Sequence, residues 1–443
     1  MRPFLVSGSG GLKGEVTPAG DKSIAHRAII ISALTQGKTV ISNFPANQDS
    51  LATLNALKKF GLKIIRNNSG TVTVFGKGLH GLTRPKGSIF VGESGTTLRL
   101  LLGVLAAQNF STKLIAGKSL SKRPMLRVNL PLRLMGAKIS AKRKTQNAKP
   151  EEYPPVTIKG GSLNPITYRM PVASAQVKSA ILLAGLYACG KTRVIEPITT
   201  RDHTERMLKV FKAGIKLKQN NIVIKGGREL VSPGRIYIPG DISSASFFIV
   251  GAAILPASRL LIKNVSLNPS RIGIINVLKR MGANIRLTAY SLQLTAYEPA
   301  GDILIKSSKL KGTLVKKKEI PSLIDELPIL MVTACLAKGK TVFEGVRELR
   351  VKETDRIRSM QENLTRMGAY IRVERDARGP ENIVIEGGKK LNGAKVRSFF
   401  DHRTAMSMVI AGLAASGTTS IDNLDCINKS FPDFLALLKP LLH

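Results

Sequence analysis

Apolar positions along this chain follow two alternating rhythms. Ile357, Met360, Leu364 and Met367 recur at the three- and four-residue spacing of a helix with one buried face, and a glycine and strand-like alternation follow. Five copies of this helix, strand, turn and strand can be read: LNALKKFGLKII with TVTVFG, LRLMGAKIS with PVTIKGG, LKVFKAGIKLK with NIVIKGG, VLKRMGANIRL with LQLTAY, and NLTRMGAYIRV with NIVIEGG. Their glycines are Gly61, Gly136, Gly214, Gly282 and Gly368. Glycine just past a helix accepts positive φ, so the spacing predicts five equivalent helix ends. A second piece, an apolar helix, a small-residue turn and a strand, occurs six times, as in ISALTQGKTVISNF and VIAGLAASGTTSIDNL. Six of one and five of the other predict a sixth unit split between the chain ends. A helix over 431–442 would close against an N-terminal strand there, bringing the termini together.

A longer repeat sorts the units into halves. Gly20-Asp-Lys-Ser-Ile-Ala-His-Arg reappears as Gly240-Asp-Ile-Ser-Ser-Ala-Ser-Phe, which predicts a duplicated domain with the chain crossing between halves near Gly20 and Gly240. The expected domains are 21–240, and 1–20 with 241–443. Lys22 and Arg27 of the first copy become Ile242 and Phe247 in the second. Those two cations are therefore not required by the fold.

Composition narrows the class. With 443 residues and 43% hydrophobic content, the chain can fill two cores. The longest uncharged apolar stretch, 242–258, contains Pro256 and falls short of the roughly 20 residues a membrane span needs. No apolar signal-peptide core follows Met1, so a cytoplasmic protein is expected. Cys189, Cys335 and Cys426 are odd in number and lack metal spacing, as reduced thiols would. Lys and Arg number 68 against 29 Asp and Glu, a net +39 that favours anionic partners. Nucleic acid is disfavoured, because the basic residues are spread along the chain, aromatics are 5% with no Trp, and no zinc-finger, RRM or helix-turn-helix pattern occurs.

Gly185-Leu-Tyr-Ala-Cys-Gly190-Lys191-Thr192 matches the P-loop pattern, but a P-loop needs a strand before it and a helix after, and here the order is reversed. The chemistry lies instead at helix starts. Lys22, Ser23 and Arg27 open one apolar helix, Gly92 to Arg99 a second, and Ser174, Ala175 and Gln176 a third. Thr200-Arg201-Asp202-His203, Asp325-Glu326, Asp401-His402-Arg403 and Lys429 precede others, and Ser121-Lys-Arg-Pro124 is the first-half counterpart of the charged run Arg350 to Arg358. That run is expected to form a helix's first turn, with Lys352 and Arg356 on one side and Glu353 near the buried face. Cations, free amides and two or three acids at equivalent helix ends suit a multiply anionic small molecule bound between the halves. No cluster has metal spacing, and no Ser or Cys has a nearby His in a nucleophile arrangement.

The segments GDKSIAHRA, GESGTTLR, SKRP, SAQVKSA, EPITTRDHTERML, IDELP, RVKETDRIR, FDHRTAMS and NKSFPDF, in this order over nearly the whole chain, resemble the 5-enolpyruvylshikimate-3-phosphate synthases. The resemblance implies an α/β protein, a two-domain inside-out α/β barrel with three βαβαββ units per domain. It also implies transfer of the enolpyruvyl group of phosphoenolpyruvate to the 5-hydroxyl of shikimate 3-phosphate, on the pathway to chorismate and aromatic amino acids, with no cofactor or metal and in a monomer. By the same resemblance Lys22, Ser23, Arg27, Ser174, Ala175, Gln176, Arg201, Asp325 and Lys352 bind shikimate 3-phosphate. Lys22, Gly95, Arg123, Gln176, Lys352, Arg356, Arg403 and Lys429 serve phosphoenolpyruvate. Asp325 is implied as proton acceptor at the 5-hydroxyl and Glu353 as the acid near the methylene carbon, with Lys22 the third catalytic group.

This sequence departs from the family pattern at four places. Ala175 stands where many members have Ser, Glu93 and Glu348 where Asn is frequent, and Leu100 where Pro is frequent. Enlargement at the Gly95 position accompanies glyphosate tolerance in the family, so Gly95 implies sensitivity. Two alternatives remain at this point. The enolpyruvyl transferase acting on UDP-N-acetylglucosamine resembles CAIGARP around a reactive Cys, whereas Lys118 to Pro124 here carries no thiol. An RNA-binding or RNA 3′-phosphate-processing protein would suit the +39 charge.

Overall fold

Six helices in this chain are apolar on nearly every side, and a helix without a polar face has to be enclosed. They are Lys22–Ala33, Gly95–Leu105, Ala175–Gly185, Ile242–Ile254, Leu327–Leu336 and His402–Leu413. The computed structural model describes residues 3–146, 149–289, 298–375 and 381–443. The first three helices lie in one hydrophobic core and the last three in another. The chain accordingly divides into two units, Gly20–Ile238 with Glu298, and the described residues of 1–19, 239–289 and 299–443. Neither unit carries a helix long and apolar enough to cross a membrane, among the described residues.

Each core helix feeds a central strand that has a parallel neighbour on one side and an antiparallel one on the other, which in five of the six sheets belongs to a hairpin. Ser111–Ile115 lies between Ile89–Phe90 and the hairpin of Lys149–Lys159 with Lys138–Gln146. Lys191–Ile195 and Gly339–Phe343 repeat this order. Three sheets are completed from elsewhere in the chain. Thr35–Ser42 takes its parallel neighbours from Leu230–Val231 and Arg235–Tyr237, whereas Arg259–Ser266 takes Lys13–Val16. The strand before each half's first helix thus pairs in the other half's sheet, which makes Gly20 and Gly240 crossing points. In the sixth unit Phe4–Ser7 pairs antiparallel with Thr418–Ile421, and Leu12 bridges Leu442, so the two chain ends meet.

The repeated helix ends are built as expected at four glycines and differently at the fifth. Gly61, Gly136, Gly282 and Gly368 have φ of 82°, 113°, 98° and 88°. In the third copy Lys212 takes that position at φ 57°, and its amide donates to Lys209 just as that of Gly61 donates to Lys58. Gly214 is the first residue of the strand Gly214–Lys218, where the other copies place Lys63, Lys138, Asn284 and Tyr370. The spacing was misleading there because a glycine happens to stand at the first strand position, two residues past the left-handed residue that ends the helix.

Two further expectations change. The helix over 431–442 is only Phe434–Leu438, followed by a 3₁₀ turn at Lys439–Leu441, because Pro432 and Pro440 break continuity on both sides. LQLTAY lies outside the described residues, and Asn284–Ala289 pairs instead with Ala300–Lys306. The reversed P-loop order holds, with helix Ala175–Gly185 before strand Lys191–Ile195.

Candidate functional site

In the first unit the starts of the three core helices carry the polar groups. Asp21 caps Lys22–Ala33 by accepting from the Ile24 amide at 2.9 Å, which leaves Lys22, Ser23 and Arg27 along the first turns. Ser94 and Ser174 cap the other two in the same way, from Thr97 and Val177. Free amides at these starts favour anions. Lys22 Nζ donates to Asp49 at 2.8 Å. His26 Nδ1 meets Thr53 Oγ1 at 2.6 Å, Thr53 meets Thr97 at 2.6 Å, and Thr97 donates to Ser94 Oγ at 2.7 Å. This chain of hydroxyls ties the Lys22 helix to the Gly95 helix. Burial, aided by Lys22 and Arg27, holds the His26 imidazole well below the usual histidine range, so it is neutral.

Arg99 joins the second and third starts. Its Nη1 donates to Gln176 Oε1 at 2.6 Å and its Nη2 to the Pro124 carbonyl at 3.2 Å, while Gln176 donates to Thr96 Oγ1 at 2.8 Å. A Cβ added to Gly95 would lie 2.9 Å from both Arg99 Nη1 and Arg123 Nη1, so glycine there lets two guanidinium groups approach the helix start. Glu93 accepts from the amides of Ser119 and Leu120 at 3.2 and 2.7 Å and thereby anchors the loop that presents Arg123. Leu100 is fully buried core. Arg201, half-buried, precedes the helix His203–Val210.

The second unit gathers its charges around Arg356, which is 1% exposed. Its Nε donates to Asp401 Oδ2 at 2.8 Å, its Nη2 to Glu353 Oε2 at 2.6 Å, and its Nη1 lies 3.3 Å from Asp325 Oδ1. Burial opposes the Arg356 charge, but Asp401, Glu353 and Asp325 outweigh it and raise the pKa. Asp401 also caps His402–Leu413 through the Arg403 and Thr404 amides at 2.8 and 3.4 Å. Arg403 Nη1 lies 3.5 Å from the Ser243 carbonyl and 4.0 Å from Glu326 Oε1. Burial lowers the Lys352 pKa, against Asp325 and Glu348, which raise it. Lys429 Nζ donates to the Phe400 carbonyl at 3.1 Å, in the loop leading to Asp401.

The charged run does not form a helix's first turn. Arg347–Val351 is a 3₁₀ turn, and the helix begins only at Arg356, because Asp355 caps it by accepting from the Arg358 amide at 3.1 Å. Lys352 and Arg356 therefore do not share a helix face, and Glu353 is half-buried on a loop with 21% of its side chain exposed. Ser174, Ala175 and Gln176 are likewise half-buried. In the second half Ile242 and Phe247, which replace Lys22 and Arg27, are core, and the Phe247 ring packs 5.8 Å from that of Phe434.

Two residues of these networks were quoted above without a role, and a third was not quoted. Arg99 was legible as a lone cation inside the apolar run GTTLRLLLGVL, and Asp401 as an acid directly before a helix. Arg271, 1% exposed, donates to Ser243 Oγ at 2.5 Å and lies 4.0 Å from Asp325 Oδ2. Nothing in its local sequence marks it.

Comparison with known proteins is consistent along the whole chain. Residues 6–438 match the family model described as EPSP synthase (3-phosphoshikimate 1-carboxyvinyltransferase). A 3-phosphoshikimate 1-carboxyvinyltransferase of Desulforamulus reducens is 46% identical over 431 residues, 97% of either chain. One from Geotalea daltonii is 47% identical over 429 residues, 97% of this chain and 96% of the relative. The structure of EPSP synthase from Acinetobacter baumannii superposes with a TM-score of 0.85 at 42% identity, covering 100% of this chain and 98% of that one. This two-unit α/β protein belongs to the EPSP synthase family.

Proposed function

We propose that the chain transfers the enolpyruvyl group of phosphoenolpyruvate to the 5-hydroxyl of shikimate 3-phosphate and releases phosphate. Lys22, Ser23, Arg27, Ser174, Ala175, Gln176 and Arg201 serve shikimate 3-phosphate. Ala175 contributes through its backbone. Lys22, Gly95, Arg123, Gln176, Lys352, Arg356, Arg403 and Lys429 serve phosphoenolpyruvate, whose phosphate and carboxylate need cations and free amides. Asp325 and Lys352 complete the set on the acceptor side.

The observation that carries this reading is that Asp325 and Glu353 are held on two nitrogens of one buried guanidinium, at 3.3 and 2.6 Å. A base and an acid are thus fixed beside a single cation. The chemistry asks for that pair. Asp325 takes the proton of the 5-hydroxyl as its oxygen bonds to C2 of phosphoenolpyruvate, and Glu353 supplies a proton to C3, turning the methylene into a methyl group. The tetrahedral adduct then loses a C3 proton to Glu353 and expels phosphate, which leaves with the proton Asp325 had taken, restoring the double bond and both side chains. Arg356 accepts the substrate's negative charge in exchange for that of the two acids, which frees both for proton transfer.

Addition followed by elimination leaves a mark. Turnover in deuterated water will place deuterium on the vinyl methylene of the product, because the transient methyl group returns either hydrogen isotope. Product free of deuterium at that carbon would exclude C3 protonation and remove Glu353 from its role.

A further inference from the structure

Arg27 and Arg356 are both buried arginines, yet their surroundings are opposite. Arg356 faces three carboxylates. Arg27, 3% exposed, is held by neutral groups only: Nε donates to Thr204 Oγ1 at 2.6 Å, Nη2 to Ser179 Oγ at 2.8 Å, and Nη1 to the Ser23 carbonyl at 2.8 Å. A guanidinium has five N–H donors. One hydrogen on each terminal nitrogen therefore remains for a ligand.

The hydroxyl protons can be assigned from their partners. Ser179 Oγ donates to the Ala175 carbonyl at 2.6 Å, so toward Thr204, 2.7 Å away, it can only accept. Thr204 must then donate to Ser179, and the oxygens of both face Arg27 as acceptors. The acid that most favours the Arg27 charge is committed elsewhere: Glu205, 1% exposed, binds Lys178 Nζ at 2.6 Å, and Lys178 is also 3.0 Å from Glu196. Burial draws the Arg27 pKa down to about 10, against Glu205 and Asp21, which raise it. Its charge is kept and oriented, but no contacting anion cancels it.

We propose that Thr204 and Ser179 are positioning residues for shikimate 3-phosphate, orienting Arg27 through hydroxyl groups so that an anionic oxygen of the substrate completes its hydrogen bonds. The inference rests on the assignment of Arg27 to that substrate made above. A carboxylate in either place would hold the guanidinium equally well and neutralise it. An alkyl group would leave one N–H buried and unpaired.

The test compares Thr204→Val, Ser179→Ala, Thr204→Ser and Arg27→Gln in the full chain, measuring KM for each substrate by phosphate release and the dissociation constant of shikimate 3-phosphate by calorimetry. Thr204→Val and Ser179→Ala will raise KM and Kd for shikimate 3-phosphate roughly tenfold, the loss of one hydrogen bond to a charged group. KM for phosphoenolpyruvate will move far less. Thr204→Ser, which keeps the hydroxyl, will recover most of the affinity and also serves if the valine variant fails to fold. Equal effects on both substrates, or none, while Arg27→Gln weakens shikimate 3-phosphate, would overturn the inference alone. If Arg27→Gln leaves that substrate's binding intact, the assignment of Arg27 falls and this inference with it.

Discussion

Replacing Asp325 with Asn separates chemistry from scaffold. Asn has the same shape and removes one negative charge from a side chain that is 20% exposed. Arg356 keeps Asp401 at 2.8 Å and Glu353 at 2.6 Å, so its charge stays compensated. Arg271 Nη1, 4.0 Å from Asp325, is too distant for a direct hydrogen bond to be lost. The stability cost is therefore that of a partly screened pair, about 1 kcal/mol, or a melting temperature lower by roughly 2–4 °C. The catalytic cost is much larger. Asn cannot accept the hydroxyl proton, and loss of a general base lowers turnover by roughly 10²–10⁴-fold. Phosphate release at saturating levels of both substrates should show that fall, with calorimetric affinity for shikimate 3-phosphate within a few-fold of the parent. Turnover near the parent value would remove Asp325 from the base role, and a large loss of thermal stability would make it structural.

Asp401→Asn should behave in the opposite way. It keeps an acceptor for the helix cap but takes the one fully buried carboxylate of the three from a guanidinium with 1% exposure, costing about 3 kcal/mol and roughly 6–12 °C in melting temperature; a shift below about 2 °C would show that Glu353 and Asp325 alone satisfy Arg356. His26 is held neutral when folded, its pKa lowered by burial and by Lys22 and Arg27, while the unfolded chain takes up a proton near pH 6.5. The stability it contributes is thus complete above that pH and declines as pH falls, by up to about 1.4 kcal/mol per unit, and His26→Gln should flatten the melting temperature profile on the acid side. An unchanged slope would mean His26 is protonated in the native protein. Gly95→Ala puts a methyl group 2.9 Å from two guanidinium nitrogens, so KM for phosphoenolpyruvate should rise several-fold and that for shikimate 3-phosphate much less. The parent enzyme should be inhibited by glyphosate, and growth or activity at millimolar inhibitor would contradict that.

Local patterning made the repeats visible, because a helix of period 3.6 ending at a left-handed glycine is a short-range signal. It failed where another residue met the same backbone demand, as Lys212 does, leaving Gly214 to be misread. Helix starts were legible from capping residues, but Asp355 shows the limit. An acid inside a charged run was read as one more charge, whereas its acceptance of the Arg358 amide fixes where the helix begins. The proposed site was drawn from residues that resemble a family's motifs. What joins them was not: Arg99 meets Gln176 across 77 positions and Arg27 meets Thr204 across 177, contacts that no periodicity carries.

The decisive measurement is phosphate release from phosphoenolpyruvate by the purified full chain with either substrate alone, with both, and with UDP-N-acetylglucosamine in place of shikimate 3-phosphate. Phosphate should appear only with phosphoenolpyruvate and shikimate 3-phosphate together, one for each enolpyruvyl product formed. No release with that pair, or equal release with the nucleotide sugar, would contradict the account.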